Sequence, residues 1–193
     1  MCCNLAENFL LKIKQLSLSL LFLFISSSAQ ASKFDMLFGM FSLTASGSSG
    51  DTSVSSLGSY RVAYGHSVYD KFDLTLGYTL NMTNTIGGDL AYGLDVGVNY
   101  FPFTFSESQN FDKDSVAISS EEVWRPYVGL SFNQRQFQSI RNSYAGFGLG
   151  LGTEYAFNKS YSLKAEFRYI SLSGSSESEA TEMNTLFGIS LKI

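Results

Sequence analysis

The chain has 193 residues, a net charge of −4 and 15% aromatic residues. That length suits a single domain. The aromatic content excludes a disordered chain, and the acidic balance excludes the basic patch that nucleic-acid binding requires. Abundant Gly, Phe and Tyr with only two Pro favour strands and tight turns over helices.

Residues 1–31 differ from the rest. Lys12 and Lys14 precede an apolar run from Leu16 to Ile25, and Ala29-Gln30-Ala31 offers a small-x-small exit. These three parts predict a secretory signal peptide over 1–31, cleaved near Ala31. The run is too short for a membrane span, which takes about 20 residues. Both cysteines, Cys2 and Cys3, lie in this segment, so the domain expected over 32–193 needs no disulfide in an oxidising compartment.

Beyond residue 32 the dominant signal is period two. Phe34 to Thr44 is apolar on both faces and its phase stays open. Ser56 to Val68 sets Tyr60, Val62 and Tyr64 against Ser59, Arg61, Ala63 and Gly65. Phe72 to Thr83 sets Phe72, Leu74, Leu76, Tyr78, Leu80 and Met82 against Asp73, Thr75, Gly77, Thr79, Asn81 and Thr83. Leu90 to Tyr100 repeats this with Ala91, Gly93, Asp95, Gly97 and Asn99 on its second face. Tyr127 to Phe137 alternates less cleanly. Ala145 to Phe157 opposes Phe147, Leu149, Leu151 and Tyr155 to Gly146, Gly148, Gly150, Gly152 and Glu154. Tyr161 to Ser171 opposes Tyr161, Leu163, Phe167 and Tyr169 to Lys164, Glu166 and Arg168. Met183 to Ile193 is the last and weakest.

That makes eight strands, several of about 11 residues, the length that crosses a bilayer at a tilt. No segment after residue 31 has the apolar run of a transmembrane helix. A membrane protein without such helices must close its sheet, because lipid offers backbone groups no partner. The predicted fold is all-β, an eight-stranded antiparallel up-and-down transmembrane β-barrel. A soluble barrel would turn its large apolar face inward. Here the second face mixes Gly with charges, which suits a narrow polar lumen and leaves the apolar face for lipid.

With the N-terminus in the periplasm, periplasmic turns fall at Tyr69-Asp70-Lys71, at Phe101–Val123 and at Asn158-Lys159-Ser160. Extracellular loops fall near 45–56, 84–89, 138–143 and 172–182. The long 101–123 connection departs from the short periplasmic turns usual in such barrels. Tyr64, Tyr69, Phe72, Tyr100, Phe101, Tyr155, Phe157 and Tyr161 are expected at the periplasmic rim as an aromatic girdle.

Two stretches are the most specific: Arg125-Pro126-Tyr127-Val128-Gly129-Leu130, and Tyr144 to Ser173, with its glycine-alternating strand, Asn-Lys turn and Ser-Leu-Lys-Ala-Glu-Phe-Arg-Tyr strand. Through them, and by pattern over about 32–193, the chain resembles the small bacterial outer-membrane β-barrel family of OmpA-type, OmpX-type and opacity-type barrels. The resemblance implies an outer-membrane location, a Gram-negative envelope and insertion by the barrel-assembly machinery. Family members usually end in an aromatic residue; this chain ends in Ile193. No cell-wall-binding domain is expected after Ile193, so tethering to the wall is not part of what the resemblance implies.

The best-defined constellation is internal. If Phe157 faces Tyr161 across the hairpin, Glu154 faces Lys164, Gly152 faces Glu166 and Gly150 faces Arg168. Arg61, Asp73 and Asp95 are expected to point inward too. This lumen charge network is either a filled, ion-paired interior or a gate for ions or small solutes; eight strands enclose a space just wide enough to be filled by side chains. The spaced glycines of 146–152 do not form a nucleotide loop, since they lack the GxGxxG spacing and a following helix. His66 is expected to face lipid near the periplasmic end, apart from the adjacent Ser67, whose side chain takes the other face. Asp112-Lys113-Asp114 with Glu121 and Glu122 lacks the glycine of a calcium loop and is expected to be a solvated acidic turn. Glu177, Glu179 and Glu182 are assigned to the last surface loop.

The sequence therefore predicts a monomeric outer-membrane barrel with a structural or surface-interaction role (adhesion or envelope integrity). A narrow channel for small solutes or ions is the alternative, and a lipid-modifying enzyme a more remote one. No catalytic residue, cofactor or metal site is expected. The expected partners are outer-membrane lipid and lipopolysaccharide, the assembly machinery, and a surface ligand reached through the extracellular loops.

Overall fold

In the computed structural model of the chain the described residues are 32–47, 50–82, 90–107, 121–138, 143–158, 160–174 and 178–193. The alternating segments all form strands: β1 (Ser32–Gly47), β2 (Gly50–Tyr69), β3 (Phe72–Met82) and β4 (Leu90–Tyr100) are followed by a short β5 (Phe105–Glu107) and then by β6 (Glu121–Phe137), β7 (Ser143–Ala156), β8 (Tyr161–Gly174) and β9 (Glu179–Lys192). Each long strand pairs antiparallel with its sequence neighbour, β1 pairs with β9, and β4 pairs with β6. The eight long strands therefore close on themselves, while β5 sits on the extension of β6 below β4. The predicted all-β, eight-stranded antiparallel barrel is the observed fold.

One hydrogen-bonded row measures the stagger. It runs Ser32, His66, Leu74, Val98, Leu130, Leu149, Tyr169, Met183 and returns to β1 at Ser42. The return lies ten residues beyond the start, so eight strands carry a shear of ten. A barrel staggered this far has strands tilted by roughly 40°. The seam is completed where the Ile193 amide donates to the Ser32 carbonyl at 2.8 Å.

The faces are inverted relative to a soluble protein. Asp73, Thr75, Gly77, Thr79 and Asn81 of β3 are buried, while Phe72, Leu76, Tyr78 and Met82 are exposed. The same holds around the barrel: Phe38, Val62, Val96, Leu130, Leu149, Phe167 and Phe187 all point outward. The largest apolar patch on a soluble monomer is about 300–600 Å²; a continuous apolar band requires lipid around it.

Three expectations are corrected. The β1–β2 hairpin continues to Gly47 and Gly50 where a loop at 45–56 was expected, and β8 and β9 continue to Gly174 and from Glu179 where a loop at 172–182 was expected. These extensions carry Ser and Thr rather than large apolar residues on their outward face, which made them resemble loop in sequence. β6 begins at Glu121, inside the expected 101–123 connection. The turn at Asp70-Lys71 stands as expected; of the turn expected at 158–160 Lys159 lies outside the described residues, and Asn158 Oδ1 accepts from the amides of Ser160 (2.9 Å) and Tyr161 (2.8 Å).

Candidate functional site: the lumen

β1, unphased in sequence, turns Lys33, Asp35, Leu37 and Phe41 inward and Met36, Phe38 and Met40 outward. Opposite it, β2 carries one extra residue, since Gly39 faces Ser59 while Phe41 faces Ser56. This bulge resets the phase of β2 so that both strands keep their inward faces aligned.

All seven predicted lumen residues are buried and belong to one network. The pairings Glu154–Lys164, Gly152–Glu166 and Gly150–Arg168 are those expected. Nearest the short turns, Lys33 bridges Asp73 (2.7 Å) and Glu154, and Ser67 Oγ donates to Asp73 at 2.7 Å. Lys164 donates to Asp35 at 2.5 Å and lies 3.7 Å from both Glu154 and Glu166. Lys33 and Asp35 thus supply the closest partners of Glu154 and Lys164. Further in, Arg61 binds Asp95 at 2.6 Å and lies 3.7 Å from Glu166. Arg168 lies 3.3 Å from both Asp95 and Glu166 and donates to Asn133 Oδ1 at 2.8 Å. Tyr127 Oη donates to Glu166 at 2.6 Å. A buried charge is tolerated only when it is paired and hydrogen-bonded, and this mesh provides both for charged groups on six strands, with Tyr127 and Asn133 of β6 as neutral partners.

A second tier was missed. Arg135 binds Glu182 through Nε (2.9 Å) and Nη2 (3.2 Å), and Asn184 Nδ2 donates to Glu182 at 2.6 Å. Glu182 is fully buried on β9, not in a surface loop; Glu179 is exposed on the same strand, and Glu177 lies outside the described residues. The period-two signal for Arg135 was present, since it shares parity with Tyr127 and Asn133. Glu182 was lost because its strand was started too late.

Both ends of the network are covered. On the turn side Phe101, expected in the girdle, is 0% exposed. Its amide donates to the Lys71 carbonyl at 2.9 Å, which turns the chain across the barrel mouth. Its ring packs on Tyr127 with centroids 5.3 Å apart, and Lys33 Nζ and Arg125 lie over it at 5.0 and 4.1 Å. On the loop side Ala91, Phe137, Tyr144, Ile170, Leu172 and Ala180 form an apolar cluster with Leu43 and Ala45. Between the covers, a cavity of about 10 Å³ touches Arg61, Asn99, Glu166 and Arg168, room for about one water molecule.

The other girdle residues, Tyr64, Tyr69, Phe72, Tyr100, Tyr155, Phe157 and Tyr161, are exposed on the outward face at the turn side. Trp124 joins them, stacked on Phe105 at 4.8 Å. His66 is half-buried there, its Nδ1 3.3 Å from Ser32 Oγ, which also meets the Tyr64 hydroxyl at 2.8 Å. Asp112-Lys113-Asp114 lies outside the described residues, and Glu121 and Glu122 belong to β6. Among the described residues no cluster of three or more His, Cys, Asp or Glu could hold a metal ion.

The comparisons find an outer-membrane barrel as well. Residues 16–192 match the outer membrane protein beta-barrel domain family. The chain belongs to that family. No curated protein sequence is a significant match. Among solved structures the chain is similar to Neisserial surface protein A, at 19% identity and a TM-score of 0.54, covering 85% of this chain and 97% of that one. It is also similar to the outer membrane protein OprG of Pseudomonas aeruginosa, at 12% identity and a TM-score of 0.52, covering 86% and 96%. Those likenesses speak to the fold, and family membership places this barrel in an outer membrane.

Proposed function

We propose that this outer-membrane barrel is a monomeric, non-conducting envelope protein whose work is structural and surface-interactive. The observation that carries the reading is the occupied lumen: a paired charge mesh lies between Phe101 and the apolar cluster of Phe137, Tyr144, Ile170 and Leu172. A path for solute would have to break several buried ion pairs at once, each costly to leave half-made. The short turns face the periplasm, the signal segment is removed near Ala31, and the loop ends face outward. Any surface ligand binds there, on the loops, as is usual for rigid scaffolds. We read no catalytic centre in the barrel. The Ser32–His66 contact lies at the periplasmic rim, away from outer-leaflet lipid.

The decisive experiment is single-channel recording of the refolded protein in planar bilayers. A closed trace across a range of voltages supports the reading. Steady nanosiemens openings overturn it in favour of the narrow channel, with the Arg61–Asp95–Glu166–Arg168 cluster as the conducting constriction.

A further inference from the structure

Partway up β1, β6 and β8, both faces of the wall exchange polarity. On β8 the outward residues run Phe167, Tyr169, then Ser171 and Ser173, while the inward ones run Glu166, Arg168, then Ile170 and Leu172. On β6 the outward series passes from Phe132 to Gln134 and Gln136 as the inward series passes from Arg135 to Phe137. On β1 Met40 gives way to Ser42 and Thr44 outside, while Leu43 and Ala45 pack inside. On these strands the upper wall is therefore dressed as that of a water-soluble barrel, polar outside and apolar inside, standing on a membrane wall of the opposite kind.

The exchange occurs at one height. Hydrogen-bonded rows climb ten residues in one circuit of eight strands, about a residue and a quarter per strand. Allowing for that slope, Met40, Leu80, Leu94, Phe132, Phe147 and Tyr169 stand level; above them the outward face turns polar on β1, β6 and β8, while Met82 and Tyr92 keep it apolar on β3 and β4. From that level to the turn-side aromatics, Trp124, Tyr155 and Tyr161, each strand spans nine residues, which at this tilt rise about 21 Å, close to the roughly 25 Å of an apolar band in outer-membrane barrels.

Directly above, along β6, β8, β1 and β2, lies a partial collar whose chemistry is narrow. Ser42, Thr44, Ser55, Gln136, Ser171 and Ser173 all face outward, with Ser42–Ser55 and Thr44–Ser53 hydroxyl contacts at 3.3 Å across the β1–β2 pair. Among the described residues on this outward face none is Lys or Arg; Glu179 is the acid whose side chain is described, and Asp51 takes the same face by register opposite Ser46. A ring meant for phosphate would carry Arg or Lys forks. Neutral hydroxyl and amide groups, each both donor and acceptor, instead match sugar hydroxyls.

We propose that this collar docks the uncharged saccharide portion of outer-leaflet glycolipid, through hydrogen bonds and without phosphate or divalent-cation bridges. The occupant follows from continuity: the collar begins where the lipid-facing band ends, so the headgroups of that same leaflet lie against it. The inference rests on the loop-outward orientation proposed above.

The test uses the full processed barrel with single spin labels at Ser42→Cys, Gln136→Cys and Ser171→Cys in the collar, and at Phe38→Cys and Phe167→Cys in the band. Folding of each variant is verified by its unboiled gel mobility. Accessibility to a water-soluble nickel chelate and to oxygen is read in vesicles of phosphatidylcholine alone, with a phosphate-free glycosyl-diacylglycerol, and with lipopolysaccharide with or without a chelator. The expected result is collar labels open to the chelate in phosphatidylcholine and shielded by both glycolipids, with shielding that survives removal of divalent cations. Collar labels equally open in all vesicles, or shielded only by lipopolysaccharide with its cations present, overturn the saccharide contact. Collar labels as oxygen-exposed as the band labels place the collar in hydrocarbon and overturn it too. Band labels open to the chelate everywhere would instead sink the membrane placement beneath it.

Discussion

Arg61 of β2 and Asp95 of β4 are joined by a 2.6 Å ion pair although their strands do not pair with each other. The contact passes over Gly77 of the intervening β3, which is directly opposite both Ala63 and Asp95. A Cβ at Gly77 would lie 2.7 Å from Asp95 Oδ1 and 2.8 Å from Arg61 Nη2, closer than real contacts allow. The glycine is therefore the space the ion pair occupies.

Replacing Gly77 with Ala is expected to destabilise the barrel by about 1–3 kcal/mol, the usual cost of overpacking. Urea unfolding in detergent micelles, followed by tryptophan emission from Trp124, measures it. A neutral effect would show that the pair relaxes without cost.

Arg61→Ala leaves Asp95 buried with Thr79 and Arg168 as its remaining partners. Removing one member of a buried pair costs about 3–5 kcal/mol. The double variant Arg61→Leu with Asp95→Leu is expected to recover part of this loss, because neither charge is then stranded. If the double variant is worse than the sum of the singles, the pair is not the unit of stability.

Phe101→Ala removes the cover on the turn-side mouth and exposes the Lys33 and Tyr127 contacts to water. A loss of about 3–5 kcal/mol is expected for a fully buried Phe, read by the same unfolding assay. Phe101→Leu, which refills most of the volume, should retain most of the stability. Equal losses from both would point to the ring's contacts with Lys33 and Arg125 rather than its volume.

Leu151, 59% exposed in the middle of the band, and Ser173, in the collar, test the lipid boundary. Leu151→Arg is expected to cost about 2–4 kcal/mol in a bilayer and Ser173→Arg about 0–1. Folded fractions in vesicles, read from the difference between boiled and unboiled gel mobility, distinguish them. Equal tolerance would mean that the band is not in hydrocarbon.

The strand number, the polar lumen and the Glu154–Lys164 register were all legible in the sequence, because period two is imposed residue by residue and the Asn158 turn fixes the pairing of β7 with β8. Lys33, Asp35, Arg135 and Glu182 were not recognised. β1 has apolar residues on both faces, Leu37 and Phe41 inside and Phe38 and Met40 outside, so only its neighbours β2 and β9 decide its phase. Glu182 follows a Ser- and Glu-rich stretch that reads as loop until β1 is seen to pair with it. Phe101 shows the same limit: an aromatic at a strand end suits the girdle, and only the hydrogen bond to Lys71 turns it across the mouth. What the sequence by itself determined is the strand content and the chemistry of each face, since both are local alternations. What only the tertiary structure decided is the shear, the partners inside the lumen and the height at which the faces exchange. Those depend on how far each strand slides past its neighbours, and closing the ring sets all eight slides together.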